Sequence, residues 1–202
     1  MVRASSLEEA QMAAEAVCKG GIPIVEITMT VPGALELIAK LVKTMPEVLV
    51  GAGTVLSKKM ARDCAKAGAQ FLVTPGFSKA VVDAAQKLDL LIMAGALTPT
   101  EVMEAWEAGV DFVKIFPCGN MGGPSYIRAL RGPLPQVPLV PTGGVNLDTA
   151  AEYIRAGSAS LGVGGELVLK KALQERKPEL ISELAARFVN VVKAAKANGN
   201  AK

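Results

Sequence analysis

Residues 20–54, GGIPIVEITMTVPGALELIAKLVKTMPEVLVGAGT, hold an apolar run at 23–28, a segment of helical period at 33–45 and a second apolar run at 49–54. The runs are near-continuous Val, Ile and Leu, the composition of strands covered on both faces, and not the strict alternation of a strand with one wet face. Between them lies room for one helix, which is what a crossover between parallel strands requires. The stretch therefore reads as one strand–helix–strand unit.

Working outward, the same unit repeats. Apolar runs fall at 2–4, 23–28, 49–54, 71–75, 91–96, 112–117, 139–144 and 161–165, and helical candidates lie near 6–19, 33–45, 57–67, 78–88, 99–108, 123–131, 147–156 and 178–196. Ser57, Ser78, Thr98 ahead of Pro99, and Asn146 stand where N-caps belong, and Gly20, Gly68, Gly109 and Gly157 stand where helices end. Eight strand–helix units in one domain most simply close into a (β/α)8 barrel of the TIM type. The expected domain is 1–193, followed by a polar tail at 194–202. The first strand is expected to be clipped, with no N-terminal helix ahead of it to plug the barrel floor.

Composition narrows the chemistry. The 202 residues contain no histidine, which removes Ser-His-Asp and Cys-His nucleophile systems, histidine-ligated zinc and an imidazole base together. Cys18, Cys64 and Cys118 are odd in number and widely spaced, so they read as free thiols in a reducing compartment. A net charge of +3 is spread along the chain and aromatics make up 4% of it, a poor basis for nucleic-acid binding. No apolar run approaches the roughly 20 residues needed to span a bilayer, and the start carries no signal-peptide core. The expected location is the cytoplasm, with no membrane partner.

Two charged residues sit inside apolar runs. In Ile24-Val25-Glu26-Ile27-Thr28, alternation puts Val25 and Ile27 on the helix-facing side and Glu26 on the interior side; in Phe112-Val113-Lys114-Ile115-Phe116 the same logic turns Lys114 inward. The two runs are the second and sixth, and alternate strands of such a barrel share interior layers. One reading is a structural buried ion pair, which commonly adds little stability over apolar residues. The other is chemical: a desolvated lysine with a depressed pKa is a nucleophilic amine able to form a Schiff base with a ketone, and Glu26 moves the protons.

A second constellation follows the seventh and eighth runs, in Pro141-Thr142-Gly143-Gly144-Val145 and Gly162-Val163-Gly164-Gly165-Glu166. Glycine-rich loops at these positions are frequent phosphate sites, built from backbone N–H groups. Thr54 and Thr74-Pro75 end other strands at the same level. Cys118 is read as a bystander, and Met29, Met45, Met60, Met93 and Met103 as core filler.

These segments, GGIPIVEITMTVPGALELI, VLVGAGTVLS, AGAQFLVTPGFS, DFVKIFPCGNMGGPSYIRALRGPLPQVPLVPTGGVNLD and LGVGGELV, together resemble the bacterial 2-keto-3-deoxy-6-phosphogluconate (KDPG) aldolases, also described as 4-hydroxy-2-oxoglutarate aldolases. The resemblance runs from Arg3 to about Val168. It implies a class I aldolase on a (β/α)8 barrel, without metal or other cofactor, homotrimeric, cleaving KDPG to pyruvate and glyceraldehyde 3-phosphate in the Entner–Doudoroff pathway. Cleavage of 4-hydroxy-2-oxoglutarate to pyruvate and glyoxylate belongs to the same expectation. Lys114 falls on the Schiff-base lysine and Glu26 on the acid/base. Arg3, Thr54, Pro75, Phe116 and Thr142 match substrate-binding positions, and Gly143, Gly144, Gly164 and Gly165 match the phosphate-binding turns. Thr30, Ala94, Gly165 and Cys118-Gly119 depart from the residues most members carry, which leaves the aldehyde half of the substrate open. Two other readings remain at this stage: a phosphosugar isomerase with no covalent step, and a barrel kept, shortened or engineered, for its oligomer-forming surface.

Overall fold

A computed structural model describes residues 1–199. Six parallel strands form one curled sheet in sequence order: β1 (Ile24–Thr28), β2 (Leu49–Gly53), β3 (Phe71–Val73), β4 (Leu91–Ala96), β5 (Phe112–Ile115) and β6 (Leu139–Pro141). Helices α1 (Leu7–Lys19) to α7 (Leu147–Arg155) alternate with them: α2 (Ala34–Thr44), α3 (Lys58–Lys66), α4 (Lys79–Lys87), α5 (Pro99–Glu107) and α6 (Pro124–Arg131). A 3-10 turn (Gly119–Met121), a short α8 (Lys170–Gln174) and a long α9 (Pro178–Gly199) complete the described chain; the turn and α8 were not anticipated. Helix α9 runs on into the segment expected as a tail, with Ala195 buried, and residues 200–202 lie outside the described residues.

Six of the eight expected strands form the sheet, and the first and eighth runs contribute one single bridge each. Val2 pairs with Ile27 through Val2 N–H to Glu26 C=O (2.7 Å) and Thr28 N–H to Val2 C=O (3.1 Å), and the run then turns into the Ser6 cap of α1. At the other edge Thr142 pairs with Gly162, after which Gly164 C=O accepts from Leu167 and Val168 and the chain leaves the sheet. The two edges approach each other, because Met1 N donates to Val163 C=O at 2.9 Å.

Of the four N-caps expected from sequence, three make their cap bonds. Ser57 Oγ accepts from Met60 N–H, and Thr98 with Glu101 and Asn146 with Thr149 form reciprocal capping boxes. Ser78 has extended N-cap geometry but its side chain makes no cap bond. After α1 the left-handed residue is Gly21 (φ 94°), not Gly20 (φ −76°), whereas Gly68, Gly109 and Gly157 do adopt positive φ.

Two apolar shells result. Between sheet and helices, Ile27, Leu37, Ile38, Leu41, Ile92, Ile115, Leu139 and Ile181 are fully buried, each worth roughly 1.5–3 kcal/mol against exposure. Inside the curl, the register sets glycines against the charged residues: Gly51 lies opposite Glu26 and Gly95 opposite Lys114. At the N-terminal ends of the strands Ile24 and Leu91 remain about half exposed.

Candidate active site

Strand alternation delivers the two charged residues where the sequence placed them. Glu26 and Lys114 are buried, while Val25, Ile27, Val113 and Ile115 are buried on the helix side. The four ion pairs found among the described residues all lie elsewhere, on the surface, and Glu26 and Lys114 make no contact pair. Lys114 Nζ instead stands 3.9 Å from Met1 Sδ and 5.2 Å from the centroid of the Phe116 ring. Glu26 Oε1 is buried with no hydrogen-bond partner among the described residues. Burial pushes the Lys114 ammonium below its ordinary range; the negative charge of Glu26 opposes that shift, and the positive charge of Arg3 adds to it.

The space for Glu26 is made by its neighbour strand. A Cβ on Gly53 would overlap Glu26 Oε1 and stand 2.5 Å from Cδ and 2.7 Å from Cγ. Thr54, the next residue, holds φ 58°, a left-handed conformation that strains a β-branched side chain by about 1–3 kcal/mol. Hydrogen bonds on both sides impose it: Met29 N–H to Gly53 C=O (2.8 Å) and Val55 N–H to Val73 C=O (3.1 Å).

At the C-terminal ends of the strands a cavity of about 640 Å³ brings together Arg3, Phe116, Thr142, Gly143, Gly144, Gly164 and Gly165. Gly143 (φ 84°) and Gly144 (φ 77°) take conformations that favour glycine. Gly143 C=O is drawn away by Gly119 N–H (2.8 Å), and the amides of Gly143, Gly144, Gly164 and Gly165 have no backbone acceptor among the described residues. They supply donors for an anion. Thr54 and Pro75 end β2 and β3 on the same side of the sheet but do not line this cavity. Glu26 lines a second cavity of about 240 Å³ that opens toward the floor between Ile24, Leu49, Phe71, Leu91 and Phe112; Thr142 and Met1 line both.

Sequence reading did not single out several lining residues. Thr28, buried and on the Glu26 face, reaches the main cavity with its hydroxyl 2.8 Å from that of Thr30, and its position on that face was legible. Ser5, Glu9 and Lys170 also line the cavity, and nothing in their local sequence announced it. Cys118 is fully buried with its thiol pushed up by burial, which suits the bystander reading. Among the described residues no three Cys, Asp or Glu cluster as a metal site, and no helix is long and apolar enough to cross a membrane.

Similarity to known proteins points the same way. The KHG/KDPG aldolase of Escherichia coli K12 is 33% identical over 187 residues, 93% of this chain and 88% of that protein. A KDPG aldolase from Legionella pneumophila, solved with pyruvate captured as a covalent carbinolamine, superposes with a TM-score of 0.85 at 34% identity over 92% of this chain and 90% of that one. A cube-shaped cage designed by fusing symmetric oligomeric domains superposes with a TM-score of 0.88 at 31% identity, over 97% and 73%. The family model for KDPG and KHG aldolases matches residues 1–184, so the buried lysine, the buried carboxylate and the glycine-lined cavity stand in a chain that belongs to the KDPG and KHG aldolase family.

Proposed function

We propose that this chain is a class I aldolase that cleaves KDPG to pyruvate and glyceraldehyde 3-phosphate, and 4-hydroxy-2-oxoglutarate to pyruvate and glyoxylate, with Lys114 as nucleophile and Glu26 as acid/base. The observation that carries the reading is a lysine buried without a contact partner, its pKa lowered by that burial, with a carboxylate near enough to oppose the shift.

The neutral Lys114 amine adds to the C2 ketone, and the carbinolamine loses water to give an iminium. Glu26 takes the proton from the C4 hydroxyl. The C3–C4 bond then breaks, its electron pair flowing into the iminium to give an enamine while C4 leaves as the aldehyde. Protonation at C3 and hydrolysis release pyruvate and free the amine. Each step uses groups the chain supplies.

Arg3 offers the keto-acid carboxylate a cation, which suits a chain with Thr30 where the family resemblance leads one to expect arginine. Phe116 and Thr142 border the pyruvate end, and the family resemblance adds Thr54 and Pro75, which follow β2 and β3 outside the cavity lining. The amides of Gly143, Gly144, Gly164 and Gly165 bind the phosphate. The Met1 to Val163 hydrogen bond supports closure of the sheet as a (β/α)8 barrel over 1–193. Similarity to a cage built from symmetric oligomeric domains supports oligomerisation, the family resemblance makes the oligomer a homotrimer, which sedimentation tests, and the chemistry suits a cytoplasmic enzyme.

The decisive test is mass spectrometry after incubation with pyruvate and borohydride. A reduced adduct on Lys114 is expected. Its absence in a folded protein that still turns over phosphosugars would favour a non-covalent isomerase.

A further inference from the structure

We infer that Lys170 is a specificity-determining residue of the main cavity, its ammonium pairing with a phosphate monoester at the far end of the substrate chain. The inference rests on the aldolase reading above and deepens it.

Two cations line the cavity, Arg3 and Lys170. They serve different ends. Arg3 follows Val2, whose N–H is bonded to Glu26 C=O, so it enters the cavity beside the strand that carries Glu26, at the end where the ketone is attacked. Lys170, the first residue of α8, lines the same cavity as the glycine turns at 143–144 and 164–165. The proposed substrate is anionic at both ends, a carboxylate beside the reacting ketone and a phosphate at the other terminus. One cation is available to each.

Glycine amides give direction to an anion but no net charge. A phosphate monoester carries roughly −1.5 to −2 at pH 7, and the cavity also presents Glu9 and Glu166. Without a cation at that end, the dianion would enter against carboxylates of its own sign. Glu9 is already engaged: its carboxylate accepts from Ser5 N–H (3.0 Å) and Ser5 Oγ (2.6 Å), which hold its pKa below the usual range, with Lys170 adding to the same shift. The adjacent Lys171 is turned to Glu175 at 3.8 Å, whereas Lys170 has no ion-pair partner within 4 Å among the described residues.

The test compares both substrates in Lys170→Met and Lys170→Arg. In Lys170→Met, KM for KDPG is expected to rise about tenfold with kcat within about twofold, a charge-assisted contact discounted for exposure, while both constants for 4-hydroxy-2-oxoglutarate stay put. Inorganic phosphate should inhibit the wild-type chain competitively and Lys170→Met more weakly, with Lys170→Arg close to wild type in both assays. An unchanged KM for KDPG in Lys170→Met, or equal losses on the two substrates, overturns the inference. A wild-type chain that forms no borohydride-trapped pyruvate adduct overturns the aldolase reading itself, so the two failures are told apart.

Discussion

Gly53→Ala should disable Glu26 without touching it. The residue lies in regular strand geometry and tolerates alanine in its backbone, yet the added methyl falls on the Glu26 carboxylate, overlapping Oε1 and reaching within 2.5 Å of Cδ. Because the obstruction is the far end of a side chain, the carboxylate swings away and the sheet stays in place; overpacking of this kind costs roughly 1–3 kcal/mol of stability. Losing a positioned acid/base costs about 10²- to 10⁴-fold in cleavage, or roughly 3–5 kcal/mol of barrier. The amine responds in the opposite sense. Glu26 holds the Lys114 pKa up against burial, so moving its charge away lets Lys114 fall further and leaves more neutral amine. Borohydride trapping of pyruvate at neutral pH should therefore persist while KDPG cleavage collapses, with circular dichroism and thermal melts confirming the fold. Wild-type cleavage by a folded Gly53→Ala chain would refute both the packing argument and the role given to Glu26.

Glu26→Gln should behave alike, retaining the adduct and losing cleavage by about 10²- to 10⁴-fold in steady-state assays. Lys114→Met should abolish the adduct. In the wild-type chain the rate of adduct formation should rise with pH through a midpoint below the ordinary lysine value of 10.5, since the lowered pKa exposes neutral amine earlier; a midpoint at or above 10.5 in trapping rates contradicts this. Among the phosphate glycines, Gly165→Val is the informative variant, because a Cβ there meets nothing within 4 Å: it should spare the melting temperature and 4-hydroxy-2-oxoglutarate cleavage while raising KM for KDPG. Gly144→Val, at φ 77° with its Cβ 2.9 Å from Gly119 Cα, should instead lower the melting temperature itself.

What could be read from sequence was what repeats locally. Apolar runs and caps such as Thr98–Glu101 are decided by neighbours along the chain, and six strands and the main helices agree within three residues at each end. The interior positions of Glu26 and Lys114 followed from alternation alone. Strand pairing at the two edges did not, because the 2–4 run is cut short by the Ser6 cap and the 161–165 run is mostly glycine and turns at Gly164. The five residues of α8 carry too little periodicity to announce a helix, so Lys170 was invisible as a cavity residue. Gly53 was half legible: it stands on the inward face, but that it makes room for Glu26 depends on the register of β1 against β2.

Absence of an ion-pair contact between Glu26 and Lys114 favours the neutral amine that attacks a ketone. A carboxylate within hydrogen-bond reach would stabilise the ammonium and oppose burial more strongly, holding the nucleophile in its unreactive form. With Glu26 acting only at a distance and Arg3 adding a second positive charge, desolvation prevails and the amine is pushed toward neutrality. The usual objection to a buried lysine, that its charge goes uncompensated, then loses force, since the group lowers its burden by shedding the proton. The methionine thioether and aromatic ring beside Nζ offer only weak contacts: the ring face favours the ammonium, but by far less than a carboxylate in contact would. The arrangement that would be poor as a structural ion pair is thus the one in which the same residues can attack a ketone.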